Sequence, residues 1–167
     1  MSDKMVPLTE AENEVKVVTQ RLALLHLAFS RTIVDTLGWE AGKQLILDSI
    51  KQYGEYVAER TKQGHQGLPK YGFWENREDK PPLCELGKIM LEYGEPELGA
   101  MYCLIDPAKI MAADPSKKMI HTRCMILGHD ECQFDTIPTS EEERKSFAKG
   151  KDWAFVDPVV DEFVKEP

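Results

Sequence analysis

The feature that most constrains this chain is an apolar stripe near its N-terminus. Val15, Val18, Leu22, Leu25, Phe29 and Ile33 recur at spacings of three and four. That is the stripe of one amphipathic helix, a face that ordinarily packs on a core. Thr9 and Glu12 form a capping-box pattern with Thr9 as N-cap, and Leu37-Gly38 is a stop. A second helix is expected from about Trp39 to Lys62, ending near Gly64. Its stripe is Leu45, Ile46, Ser49, Tyr53 and Val57, with Ile50 beside it. The two helices are expected to run antiparallel across a short turn.

From 64 to 82 glycine and proline punctuate the pattern, and Tyr71, Phe73 and Trp74 interrupt it. This segment reads either as a surface connection or as a lid over a pocket. Beyond 85 the period shifts toward two. Lys88 to Tyr93 and Gly99 to Ile105 read as strands. Asp106-Pro107 reads as an N-cap opening a short helix to Ala113. Lys118 to Leu127 and Cys132 to Pro138 read as the arms of a β-hairpin turning at Gly128-His129-Asp130. Ser140 and Glu143 form another capping box, and Val159 to Val164 is a last, short helical piece.

The expected class is therefore α+β: two long N-terminal helices packed on an antiparallel sheet, with a C-terminal β-hairpin. The 167 residues suit one domain, with 1–8 and 150–167 at its periphery. The formal net charge of -8 opposes nucleic acid and anionic lipid as partners. It leaves a small-molecule substrate or ligand open. No stretch has the length and apolarity of a membrane span, and the polar N-terminus has no signal core. The expected location is the cytoplasm, where the four cysteines (84, 103, 124 and 132) stay reduced.

Chemistry concentrates in MYCLIDPAKIMAADPSKKMIHTRCMILGHDECQF. Cys103 and Asp106, then His121-Thr122, then Gly128, Asp130, Cys132 and Phe134 carry a likeness. With these residues the chain resembles the L-2-amino-thiazoline-4-carboxylic acid hydrolase family, from the first helix to Phe134. The resemblance implies a hydrolase that opens a small cyclic amidine or thiazoline-type carboxylic acid. More distantly, the chain is similar to 4-vinyl-reductase-like sensor domains, some of which bind small aromatic molecules and hold zinc. Their terminal motif has two cysteines eight positions apart and a ligand three before the first, as in Cys124, Cys132 and His121. Cys103 takes the place of an upstream fourth ligand.

Three readings of these residues stand side by side. In one, Cys103, His121, Cys124 and Cys132 hold zinc tetrahedrally in a closed structural site. A clean hairpin opposes this. His121 and Cys124 would face opposite sides, and Cys124 would lie about 10 Å from Cys132 along the sheet. The zinc reading therefore requires a bulge or a folded knuckle within residues 125–130. In the second, Cys103 is a nucleophile activated by His121, with Asp106 orienting the histidine or activating water. In the third, the cysteines are small core hydrophobes, Asp106 a cap and His121 a packed side chain.

Weaker candidates surround the cluster. Cys84 has no evident partner in the sequence. His26 lies at the edge of the first stripe. His65 and His129 read as loop residues. Arg31 and Arg123 could bind a substrate carboxylate, although each is more often a surface ion-pair partner. Glu141, Glu142 and Glu143 read as a solvated helix start. A sensor module ordinarily sits beside an output domain. A structural role, with the remainder of the first stripe forming a homodimer interface, is the third class of function.

Overall fold

The structure is a computed structural model and describes residues 5–64 and 84–165. In chain order its helices are α1 (Leu8–Leu37), α2 (Trp39–Lys62), α3 (Glu85–Glu92), α4 (Pro96–Cys103), α5 (Ile105–Ala113), α6 (Glu141–Lys149) and α7 (Pro158–Asp161). Two strands, β1 (Lys117–Arg123) and β2 (Gln133–Pro138), pair antiparallel between α5 and α6. The class is α+β, with the two long N-terminal helices and the C-terminal hairpin as expected.

Gly38 separates α1 from α2 in a left-handed conformation (φ 77°), which an L side chain adopts only with strain. Its amide donates to the Val34 carbonyl. α1 then packs on α2, α3 and α4, while α2 packs chiefly on α5. At the α2–α5 crossing Gly54 sits so close that a Cβ would stand 2.7 Å from the Ala108 carbonyl carbon. The hairpin lies against α5 and α7.

Several local expectations are corrected. α1 begins after Pro7 with no side-chain cap, so Thr9 and Glu12 do not form a capping box. α1 buries Ala23, Leu27 and Ser30, whereas Val15, Val18, Leu22, Leu25 and Phe29 are exposed. Apolar spacing marks a face that needs cover without saying which neighbour supplies it. On α2, Ile46 and Ile50 are buried, but Leu45 and Tyr53 are exposed.

The segments 88–93 and 99–105, read as strands, lie instead in α3, α4 and the start of α5. Leu86 and Met90, four apart, are buried from α3, as are Leu98 and Met101 from α4. A short apolar run carries either period, and here the helical one prevails. Asp106 does not cap α5; its carboxylate pairs with Lys109 one turn on. The capping box of Ser140 and Glu143 is present on α6. The tail expected at the periphery contributes fully buried Trp153, Val156, Asp157 and Val160 to the core. The 64–82 segment with its three aromatics, and His65, lie outside the described residues, apart from Gly64.

Candidate functional site

Cys103 ends α4, His121 lies in β1, and Cys124 follows β1 directly. One ligand atom from each lies within 4.8 Å of the other two, an arrangement that could hold a metal ion. The two sulfurs are 3.9 Å apart. Cys124 and His121 are buried, and Cys103 is 8 % exposed.

The local backbone explains how residues three apart in a strand converge. The register runs His121 opposite Phe134 and then Arg123 opposite Gln133, so two steps on β1 face one step on β2. Such an irregularity re-aims side chains. A 3₁₀ turn at Met125–Leu127 and a left-handed Gly128 (φ 90°) fold the chain back over Cys124. Leu127 and His129 amides donate to the Cys124 carbonyl at 3.1 and 3.2 Å. The Cys124 amide donates to His129 Nδ1 at 3.1 Å, so His129 braces the knuckle although its residue is exposed. The bend that a clean hairpin would lack is therefore present.

Behind His121 stands a residue that the sequence reading missed. His121 Nδ1 is 2.7 Å from Asp157 Oδ2, and the His121 amide donates to the same oxygen at 3.0 Å. Asp157 is wholly buried and also accepts from the Val160 amide, capping α7. A carboxylate on Nδ1 fixes the ring and leaves Nε2 to face a ligand. The Phe134 ring lies tilted against His121, with centroids 4.6 Å apart. The signal for Asp157 was Asp157-Pro158, the same cap pattern noted at Asp106-Pro107. It indicates a helix start and carries no hint of a histidine in position 121.

Cys132 and Cys84 extend the thiol group. The Met125 amide donates to Cys132 Sγ at 3.4 Å, and the Cys132 thiol is near enough to those of Cys124 and Cys84 for each to influence its titration. Cys84, which had no partner in the sequence, caps α3 by accepting from the Gly87 amide at 3.2 Å. Cys132 approaches the cluster through Cys124. Among the described residues it is not part of the three-ligand group.

These thiols hold their protons strongly. For Cys103 the contact with Cys124 works downward, but burial and the neighbouring acidic groups Cys84, Cys132 and Asp106 outweigh it and the pKa is raised. Cys124 is pushed up to about 12, first by its contact with Cys103 and then by burial. Cys132 is raised chiefly by Cys124, and Cys84 chiefly by Cys132. Without a cation, none is poised as a thiolate nucleophile.

The remaining candidates serve the framework. His26 Nε2 meets the Leu98 carbonyl at 3.0 Å, and burial lowers its pKa. Arg31 pairs with Glu95 and Asp35, and Arg123 with Asp130 and Glu131. Asp106 is tied to Lys109, so the carboxylate that orients His121 is Asp157. A separate cavity of about 510 Å³ opens between α2, α5 and α6, lined by Lys51, Tyr56, Lys62, Met111, Arg144 and Phe147 among others.

No family model, no curated protein and no solved structure matches the sequence. Among the described residues, no helix is long and apolar enough to cross a membrane.

Proposed function

We propose that this chain is a zinc-dependent hydrolase whose metal is held by Cys103, His121 and Cys124, with Asp157 as the carboxylate behind the histidine. The observation that carries this reading is the convergence of three ligands with Cys132 outside the group. Two thiolates and an imidazole suit zinc, and three protein ligands leave one position open, the pattern of catalytic rather than structural zinc. Zinc in such a site supplies an activated water and polarises the group attacked. The chain's residues contribute thiolates at Cys103 and Cys124, and a ring fixed by Asp157 in the tautomer that presents Nε2. The substrate class is a small cyclic amidine or thiazoline-type carboxylic acid, which rests on the family resemblance alone.

A second reading is a small-molecule-binding module in which Cys132 closes the zinc site. The proximity of the Cys124 and Cys132 thiols favours it, as does the separate cavity with Lys51, Lys62 and Arg144 on its walls. Zinc content and hydrolysis of 2-aminothiazoline-4-carboxylate, measured on wild type and Cys132→Ser, separate the two. The open site predicts that Cys132→Ser keeps its zinc and its turnover. Loss of zinc in that variant, with no turnover in the wild type, supports the binding module.

A further inference from the structure

The exposed stripe of α1 has a more specific period than helical amphipathicity requires. Leu8, Ala11, Val15, Val18, Leu22, Leu25 and Phe29 alternate strictly at three and four residues, a seven-residue repeat. Its large members are 43–63 % exposed. The buried positions Ala23, Leu27 and Ser30 lie on another side of the helix. A strict repeat of this kind is the seam by which a helix packs along another helix in a coiled coil. The α1 seam is used by no neighbour among the described residues that would bury it.

We propose that α1 pairs antiparallel with α1 of a second copy of this chain, making the protein a homodimer. Two observations select that occupant. The seam exposes on the order of 600 Å² of apolar surface, and two copies would bury about 1,200 Å², the lower bound of stable interfaces. Glu14 and Arg21, both exposed, take the same flanking place in successive repeats. In an antiparallel pair these flanks face each other, whereas in a parallel pair each would face the opposite flank, at Thr19 and His26.

The charges also set the register. Val15 lies opposite Val18 of the second copy, Ala11 opposite Leu22, and Leu8 opposite Leu25. Glu14 then meets Arg21 of the second copy, twice by symmetry. The next register along would set Arg21 against Arg21. The chosen register also brings Phe29 level with Met5 and Val6 of the second copy, whose side chains are exposed in the single chain.

Sedimentation equilibrium of the full chain tests this. The expected mass is about 38 kDa, twice the 19.0 kDa of one chain. Leu22→Glu is expected to give a monomer with unchanged helical circular dichroism. Glu14→Arg and Arg21→Glu are each expected to weaken the dimer about tenfold or more, because each introduces like charges twice. The double variant E14R/R21E is expected to restore wild-type affinity. A monomeric wild type, or a Leu22→Glu protein that remains dimeric, overturns the proposal. Failure of the double variant to restore affinity overturns the antiparallel pairing.

Discussion

His121 Nδ1 lies 2.7 Å from Asp157 Oδ2, and both side chains are buried. The same oxygen accepts the His121 amide, so α7 and β1 are joined through one carboxylate. Asp157→Asn preserves the shape but removes the charge that holds the ring. Metal affinity, read by competition with a chromophoric chelator, is expected to fall about 10- to 100-fold. Unchanged affinity would mean that the ring is oriented by packing alone.

Metal affinity is also expected to fall with acidity. Cys103 and Cys124 have raised pKa values in the metal-free protein, so binding must expel their protons. Raising the pH removes part of that cost. Competition titrations between pH 6 and 8 are expected to show tighter binding at the alkaline end, with proton release in weakly buffered solution. The same thiols in the metal-free protein are expected to alkylate more slowly than free cysteine at neutral pH.

Lys118 is buried, donates to the Val156 carbonyl at 2.6 Å, and pairs with Glu143. Burial alone would raise the Glu143 pKa, but Lys118 and the Ser140 amide outweigh it and hold it below the usual carboxylate value of 4.5. A lowered folded-state pKa contributes stability above the unfolded value, which is lost as pH falls through the folded one. Urea midpoints are therefore expected to drop on acidification below about pH 4.5. Glu143→Gln is expected to lower stability at pH 7 by up to about 3 kcal/mol and to flatten that acid limb. An identical acid limb in the variant would mean that Glu143 does not drive the acid loss of stability.

Gly54→Ala reverses an ordinary helix rule. In an unobstructed helix the change would stabilise by roughly 1 kcal/mol. Here the new Cβ would meet Ala108 backbone atoms at 2.7 and 2.8 Å, and backbone cannot swing aside. A loss of about 1–3 kcal/mol is expected in thermal or urea unfolding. Stabilisation instead would mean that α2 and α5 separate easily.

The legible parts of the fold were those specified locally. Both long helices, the Gly38 break, the hairpin and the Ser140–Glu143 box follow from spacing and capping chemistry within a few residues. The strand expected at 88–93 is a helix because Ile89, Leu91 and Tyr93 alternate by chance within α3 and the turn after it. Burial of Leu86, Met90 and Leu98 decided the matter, and that depends on α1 and the Met125–Leu127 turn above them. The α1 stripe was visible but assigned to the wrong side.

At the site, Cys103, His121 and Cys124 were legible because thiol and imidazole are rare and chemically marked. Their geometry was not, since a straight hairpin separates His121 from Cys124. The knuckle around Gly128 and the register irregularity after His121 resolve that conflict. Asp157 was invisible because it lies 36 positions from His121 and shares no local pattern with it. Asp106, nearer in sequence to Cys103, drew the role that Asp157 fills.

Elemental analysis of protein purified without chelator or added metal decides whether Cys103, His121 and Cys124 hold zinc, with Cys103→Ser and Cys124→Ser variants beside the wild type. About one zinc per wild-type chain is expected, and little in either variant. Wild-type protein without metal, even after dialysis against zinc, or zinc retained in full by both variants, would contradict that expectation.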